Sequence, residues 1–95
     1  MSNFIVRVEL YGTPAEGVYA NLHTAMKTKG FSRTFTDNGK TYSLPHAMYL
    51  LPNSNSATVN VVDLAKQAAS TVWKDFAVLV TRTEVRFEYF GLKLA

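Results

Sequence analysis

The sequence predicts a single α+β domain over residues 1–95, with its elements in the order β-α-β-β-α-β and an additional strand at the C-terminus. Three observations predict this order. Apolar residues alternate along the first segment, as in a strand with one buried face. Two later segments carry apolar residues at helical spacing, and residues 37–39 (DNG) separate two strand-like segments as a hairpin turn does. Hydrophobic residues form 47% of the chain, which is enough for a packed core and argues against disorder.

The first strand is predicted over residues 3–11, and the first helix is predicted to begin at Pro14. Thr13 is placed to cap this helix, and Glu16 is placed to complete a capping box. Gly30 is expected to end it, since glycine adopts the left-handed conformation of a C′ position without a steric penalty. The strand residues expected to face the core are Phe4, Val6, Val8 and Leu10. The apolar stripe of the helix comprises Val18, Leu22, Ala25 and Met26.

The next two strands are predicted over residues 31–36 and 40–51. Pro45 interrupts the second of them. Because proline has no backbone N–H to donate, we expect a bulge or an edge-facing position there. Residues 52–56 (PNSNS) are expected to form a loop.

The second helix is expected to be capped by Asn60, with Asp63 in its first turn, where a negative charge suits the helix dipole. Its apolar stripe comprises Val61, Leu64, Ala65, Ala68 and Val72. A strand over residues 75–83 follows, with apolar side chains on both sides, so we expect both of its faces to be covered. Residues 84–90 alternate again and predict a short final strand.

This order matches the ferredoxin-like arrangement, in which right-handed crossovers place both helices on one face of an antiparallel sheet and leave the other face open. The core of such a domain is complete near Thr83, so the additional strand must pair either at its own sheet edge or on a second subunit. We therefore expect a homodimer. The candidate residues of its interface are Ile5, Arg7, Glu9, Tyr11, Val85 and Phe87.

Composition argues against several classes of protein. The chain has no cysteine, so disulfides and thiolate metal sites are excluded. The carboxylates are too dispersed for a recognisable metal site, and no glycine-rich phosphate loop occurs, so we expect neither a metal nor another cofactor. The N-terminus does not resemble a secretion signal, and no segment approaches the roughly 20 apolar residues of a membrane span. A cytoplasmic protein without membrane contact is expected.

A basic cluster is predicted where the end of the first helix, the following strand and the hairpin turn meet. With a histidine from the next strand, its members are the candidate nucleic-acid-binding residues: Lys27, Lys29, Arg33, Lys40 and His46. The cations would contact phosphates, and Tyr42 or Phe35 would stack on a base. The net charge of +3 permits such a partner without requiring it. The alternative is a solvated helix C-terminus, where cations favour the dipole.

His23 and His46 are candidates for general acid–base catalysis, because imidazole titrates near neutral pH. His23 lies on the predicted first helix, and His46 follows Pro45 in a predicted strand. The alternative for each is a partly buried or surface histidine without a catalytic role. No catalytic residue is assigned.

The segment NFIVRVEL at residues 3–10, the chain length and the terminal strand resemble small bacterial ferredoxin-like proteins. These include the GhoS antitoxin family and the small CRISPR-associated proteins of the same fold. The latter carry an aspartate at the end of the first strand, where this chain has ELY at residues 9–11, so their metal-dependent nuclease activity is not implied. The segments GFSRTF at 30–35 and YSLP at 42–45 are also similar to small proteins of bacteria and their prophages.

Two functions are expected. The first is a non-catalytic dimeric module that binds a protein or nucleic acid, as an antitoxin-like or prophage accessory factor. The second, which the resemblance to the GhoS family implies, is a metal-independent endoribonuclease acting on single-stranded RNA. We favour the first because the open sheet face is apolar enough to be buried in a dimer interface.

Overall fold

A computed structural model describes residues 2–83 and 88–95. In this part of the chain the strands are β1 (Ser2–Leu10), β2 (Thr34–Asp37), β3 (Lys40–Ser43), β4 (Met48–Ser54) and β5 (Phe76–Thr83), and the helices are α1 (Glu16–Thr28) and α2 (Thr58–Ser70). Three strands form an antiparallel sheet in the order β4-β1-β5, and β2 and β3 form a separate two-stranded sheet. The predicted α+β class is confirmed.

The inward face of the central strand β1 forms the floor of the core. Phe4, Val6 and Val8 have no exposed surface, and Leu10 is almost as deeply buried. Both helices cover this face. The helical members of the same core cluster are Leu22, Met26, Val61, Ala65, Ala68 and Ala69, with Val18, Ala25, Leu64 and Val72 packed partly buried against them. The inward faces predicted for the first strand and the two helices are therefore confirmed.

The C-terminus of α1 is closed by a Schellman motif at the predicted glycine. Gly30 has φ +96°. Its N–H donates to the carbonyl of Lys27 at 3.0 Å, and the N–H of Phe31 donates to the carbonyl of Met26 at 3.1 Å. These are the two reversed hydrogen bonds that define the motif. They turn the chain so that Phe31 enters the core directly after the helix.

Both helices begin at residues other than those predicted. α1 begins at Glu16 rather than Pro14, and its N-cap is Ala15, which makes no side-chain cap. α2 begins at Thr58 with Ala57 at the N-cap, so Asn60 does not cap it and Asp63 lies beyond its first turn. Packing of the apolar stripes contributes more to the stability of these helices than a capping bond does, so they form without a side-chain cap. Neither of these 13-residue helices is long and apolar enough to cross a membrane.

The predicted hairpin turn is confirmed, but the strand before it is shorter than predicted. Asn38 and Gly39 both have positive φ, as a type I′ turn requires. The hairpin strand β2 begins only at Thr34. Upstream, the N–H of Ser32 donates to the carbonyl of Leu50 at 2.8 Å, and the carbonyl of Ser32 accepts from the N–H of Leu50 at 2.7 Å. These two bonds join the segment to β4 by an isolated bridge.

Pro45 divides the strand predicted over residues 40–51 into two. β3 ends at Ser43 and β4 begins at Met48. Between them the N–H of Met48 donates to the carbonyl of Pro45 at 3.1 Å, and Ala47 has φ +58°. The proline therefore forms part of a turn between two sheets rather than a bulge within one strand.

Two smaller expectations are wrong. β4 continues to Ser54, so the first part of the predicted loop is strand. The side chain of Asn3 stabilises this end of β4, because its Oδ1 accepts a hydrogen bond from the N–H of Asn53 at 3.0 Å. In β5, Leu79 is 68% exposed, so the outward face of this strand is not fully covered.

The strand predicted over residues 84–90 falls partly outside the described residues, which exclude 84–87, and residues 88–90 have no strand structure. Farther along, the C-terminus pairs with β3. The N–H of Ser43 donates to the carbonyl of Lys93 at 2.8 Å, and the N–H of Ala95 donates to the carbonyl of Thr41 at 3.0 Å. The C-terminal residues thus find a backbone partner within their own chain.

Replacing Gly30 with alanine is expected to lower the free energy of unfolding by about 1 kcal/mol, because a β-carbon is disfavoured at φ +96°. The added carbon would lie 3.5 Å from Cδ1 of Leu51, an ordinary contact, so backbone strain sets the cost. Urea unfolding measures the change. The control is Gly17→Ala, a helical position with no neighbouring atom within 4 Å, which should be neutral or stabilising. Equal losses in both variants would contradict the assigned role of Gly30.

Candidate nucleic-acid interface

A groove of about 390 Å³ lies between the last two turns of α1 and the segment that follows the Schellman motif. Its lining residues are His23, Thr24, Lys27, Ser32, Arg33 and Thr34. We call it the basic groove, because its described lining residues include two cations and no carboxylate. Hydroxyls from both walls supply neutral hydrogen-bonding groups. This combination suits an anionic ligand.

Local backbone structure explains why the two walls meet. The chain reversal at Gly30 returns the backbone alongside α1, and the bridge from Ser32 to Leu50 fixes it against β4. The hydroxyl of Ser32 then accepts from the N–H of Thr34 at 3.1 Å and contacts the carbonyl of the same residue at 3.0 Å. These bonds hold Arg33 between two anchored residues, with its side chain exposed at the groove.

His23 connects the groove to the core. Its Nδ1 is hydrogen-bonded to the hydroxyl of Tyr49 at 2.7 Å, and the side chain of Tyr49 is fully buried. Burial raises the pKa of Tyr49 to about 12, so its hydroxyl keeps its proton at neutral pH. Burial also lowers the pKa of His23, and Arg33 and His46 act in the same direction. The His23 ring is therefore uncharged at neutral pH, and its Nδ1 is already committed to Tyr49.

His46 lies beside this pair, in the turn between β3 and β4 rather than in a strand as predicted. The centre of its ring is 6.2 Å from that of His23, with the rings nearly perpendicular. On its other side it packs against Tyr19 of α1, at a centre-to-centre distance of 4.5 Å. His46 is exposed and Tyr19 is half-buried. The two rings provide an aromatic wall next to the basic groove.

The structure brings some of the sequence-predicted candidates together and separates others. Lys27 and Arg33 line the basic groove, and His46 lies next to His23. Lys29 is directed towards α2, where its Nζ donates to Oε1 of Gln67 at 3.2 Å. Lys40 lies at the turn end of the hairpin, opposite Asp37.

The aromatic residues proposed to stack on a base are instead engaged with one another. The rings of Phe35 and Tyr42 lie 5.6 Å apart across the hairpin, and Tyr89 packs against both at 5.0 and 5.1 Å. The hydroxyl of Tyr89 donates to Asp37, and this bond raises the pKa of Tyr89 to about 12. This cluster secures the C-terminal segment to the hairpin.

The predicted dimer-face residues of β1 lie on the side of the sheet opposite the helices. Ile5 is half-buried, whereas Arg7 and Glu9 are exposed. Tyr11, just beyond the strand, is 44% exposed, and its carbonyl accepts from the indole N–H of Trp73 at 2.8 Å. Val85 and Phe87 lie outside the described residues.

No protein-family model matches the chain. No curated protein matches it either. In the described part of the chain, no group of three or more histidine, aspartate or glutamate side chains is placed to hold a metal ion. The basic groove must therefore be interpreted from its own residues.

Sequence reasoning missed Tyr19 and Tyr49 as members of this site. One signal was present, because Tyr19 and His23 are four residues apart on α1 and therefore share a helix face. The position of Tyr49 carried no such signal. Its side chain is buried in the core, and its hydroxyl is connected to the groove only through His23.

The lowered pKa of His23 predicts a specific dependence of stability on pH. The unfolded imidazole takes up a proton at higher pH than the folded one, so this contribution to stability is complete above about pH 6.5 and is lost as the pH falls towards the folded pKa. We expect the wild-type free energy of unfolding to fall more steeply between about pH 7.5 and 5.5 than that of His23→Asn. Urea unfolding at each pH measures both slopes. Identical slopes would show that His23 titrates alike in both states.

Proposed function

We propose that this protein is a non-catalytic module that binds single-stranded RNA through the basic groove, in the manner of an antitoxin-like or accessory factor. The observation that carries the proposal is the pairing of Lys27 and Arg33 in a groove whose described lining has no carboxylate. Phosphate contacts supply most of the affinity in sequence-independent binding, and cations placed about a groove follow the backbone of a strand.

The rings beside the groove support single-stranded rather than duplex RNA. An unpaired base can leave its stack and lie against an aromatic or imidazole face, whereas paired bases of A-form RNA are not accessible in this way. His46 and Tyr19 form such a surface next to His23. His23 would use its free Nε2 as a fixed hydrogen-bonding group, since its other nitrogen is held by Tyr49.

We also propose a ferredoxin-like fold in which one of the four strands of the sheet, the outer strand next to β4, is reduced to a single bridge. β1 lies between β4 and β5 and is antiparallel to both, as that fold requires. The bridge from Ser32 to Leu50 occupies the place of the missing outer strand beside β4. The relationship to the GhoS antitoxins is part of the same proposal.

A homodimer belongs to this proposal as well. Pairing of the C-terminal residues with β3 removes one reason for expecting it, because these residues need no second subunit to satisfy their backbone. Support comes instead from the exposed apolar side chains on the sheet face opposite the helices, of which Leu79 is an example.

Metal-independent cleavage of RNA is the second candidate function, and one observation favours it. The rings of His23 and His46 are close enough for both to reach one phosphodiester. One imidazole would take the proton of the 2′-hydroxyl as its oxygen attacks phosphorus. The other would give a proton to the departing 5′-oxygen, which leaves a 2′,3′-cyclic phosphate. Arg33 would compensate the charge that develops on the phosphoryl oxygens.

Binding of a labelled single-stranded RNA of about 16 nucleotides, measured by fluorescence anisotropy at several salt concentrations, tests the first candidate. Two phosphate contacts predict a slope of log affinity against log salt of about −1.4, since each contributes about −0.7. Lys27→Ala and Arg33→Ala should each weaken binding and reduce the slope by about 0.7. Lys66→Ala, which removes an exposed cation from α2, is the matched control. Equal effects of all three substitutions would contradict binding in the groove.

The same RNA, incubated with excess chelator and analysed on a gel, separates the two candidates. The binding proposal predicts intact RNA. Cleavage that persists in chelator, stops in His46→Gln and does not occur with a 2′-deoxy strand would make the second candidate the correct one. Cleavage that persists in His46→Gln would exclude the histidine pair as its cause.

A further inference from the structure

A second concave surface lies on the sheet face opposite the helices. It is a pocket of about 330 Å³ between the sheet, the turn that contains Pro45 and the C-terminal residues. Its lining residues are Ile5, Leu44, Pro45, Met48, Glu88, Tyr89, Phe90 and Leu92, most of which are apolar. We call it the sheet-face pocket. Neither the basic groove nor its proposed ligand involves these residues.

An exposed aromatic side chain stands at the rim of this pocket. Phe90 is 99% exposed, although its neighbours Tyr89 and Leu92 are partly buried. Leu79 lies on the same face, opposite Arg7 in the sheet register, and is 68% exposed. A phenyl ring in water beside an apolar pocket loses the stabilisation that burial would give it.

The charges of this face favour a second copy of the chain over a polyanion. Arg7, Glu9 and Glu88 are all exposed there, so both signs are present close together. Such a pattern repels a phosphate backbone through its carboxylates. It is complementary to itself under a twofold rotation, because an arginine of one protomer can meet a glutamate of the other.

We propose that two copies of the chain associate through this face, with Phe90 of each protomer inserted into the sheet-face pocket of its partner. This inference rests on the homodimer proposed above and adds that Phe90 is the residue that anchors its interface. The size is suitable, since a cavity of about 150 Å³ is known to accept benzene and the sheet-face pocket is about twice as large. Because each copy carries both the inserting side chain and the receiving pocket, two copies form a closed, isologous dimer.

Sedimentation velocity over a range of concentrations tests the anchor. Phe90→Asp should raise the dissociation constant of the dimer by at least about 30-fold, because both anchors of the dimer are lost together. The matched control is Val59→Asp, which places the same charge at a 64% exposed apolar position on α2. It should change the dissociation constant by less than about twofold.

Cross-linking provides a second test, in a mixed dimer that keeps one of its two Phe90 anchors. The chain has no cysteine, so a Leu44→Cys protein mixed with a Phe90→Cys protein can form a mixed disulfide only between subunits. Rapid formation of this disulfide under mild oxidation is expected. A mixture of Val59→Cys and Leu44→Cys proteins is the control and should cross-link only slowly.

The outcomes separate the two levels of the proposal. A wild-type protein that remains monomeric up to about 100 µM would overturn both the homodimer and the Phe90 anchor. A wild-type dimer that Phe90→Asp leaves unchanged would overturn the anchor alone. So would a mixed disulfide that forms no faster than in the Val59→Cys control, at a protein concentration where sedimentation shows that the mixed dimer has formed. RNA binding by Phe90→Asp should equal that of the wild type, since the basic groove is formed by other residues.

Discussion

Burial of one face of β1 is the constraint on which the rest of the structure depends. Phe4, Val6 and Val8 are completely removed from water, and they can be covered only if α1 and α2 lie on the same side of the sheet. Hydrophobic burial is the largest favourable term in the folding of a chain this short. The position of α1 on this face of the sheet in turn determines where the chain emerges after Gly30, and hence where Arg33 is placed.

The hydroxyl of Tyr49 connects this core to the candidate site. Tyr49 contributes its ring to the core, but a buried hydroxyl without a partner would cost free energy, and His23 supplies that partner. This hydrogen bond fixes the orientation of His23, and burial lowers its pKa and favours the uncharged ring. Lys27 and Arg33 supply the positive charge of the groove. A ligand would therefore meet a hydrogen-bonding group of fixed orientation beside two cations, and this preorganisation of His23 reduces the entropy lost on binding.

Features that depend on local periodicity could be predicted from the sequence. The buried face of β1, the stripes of both helices, the glycine after α1 and the turn at Asn38 and Gly39 follow from residues a few positions apart. Helix starts were predicted less well, because a capping bond contributes little beside the packing of a whole stripe. The division of a strand at Pro45 could be recognised only as an interruption, since its form depends on which sheet each half joins.

The candidate site was harder to predict because its members meet through tertiary contacts. Lys29 and Lys40 belong to the same basic stretch of sequence as Lys27 and Arg33, yet the fold directs Lys29 to α2 and Lys40 to the hairpin turn.

The most direct test of the account is a nuclear magnetic resonance titration of isotope-labelled protein with single-stranded RNA. The account predicts that amide resonances of residues 23–34 and of His46 shift first. Shifts confined to the sheet face around Arg7 and Leu79, or no shifts at all, would contradict it.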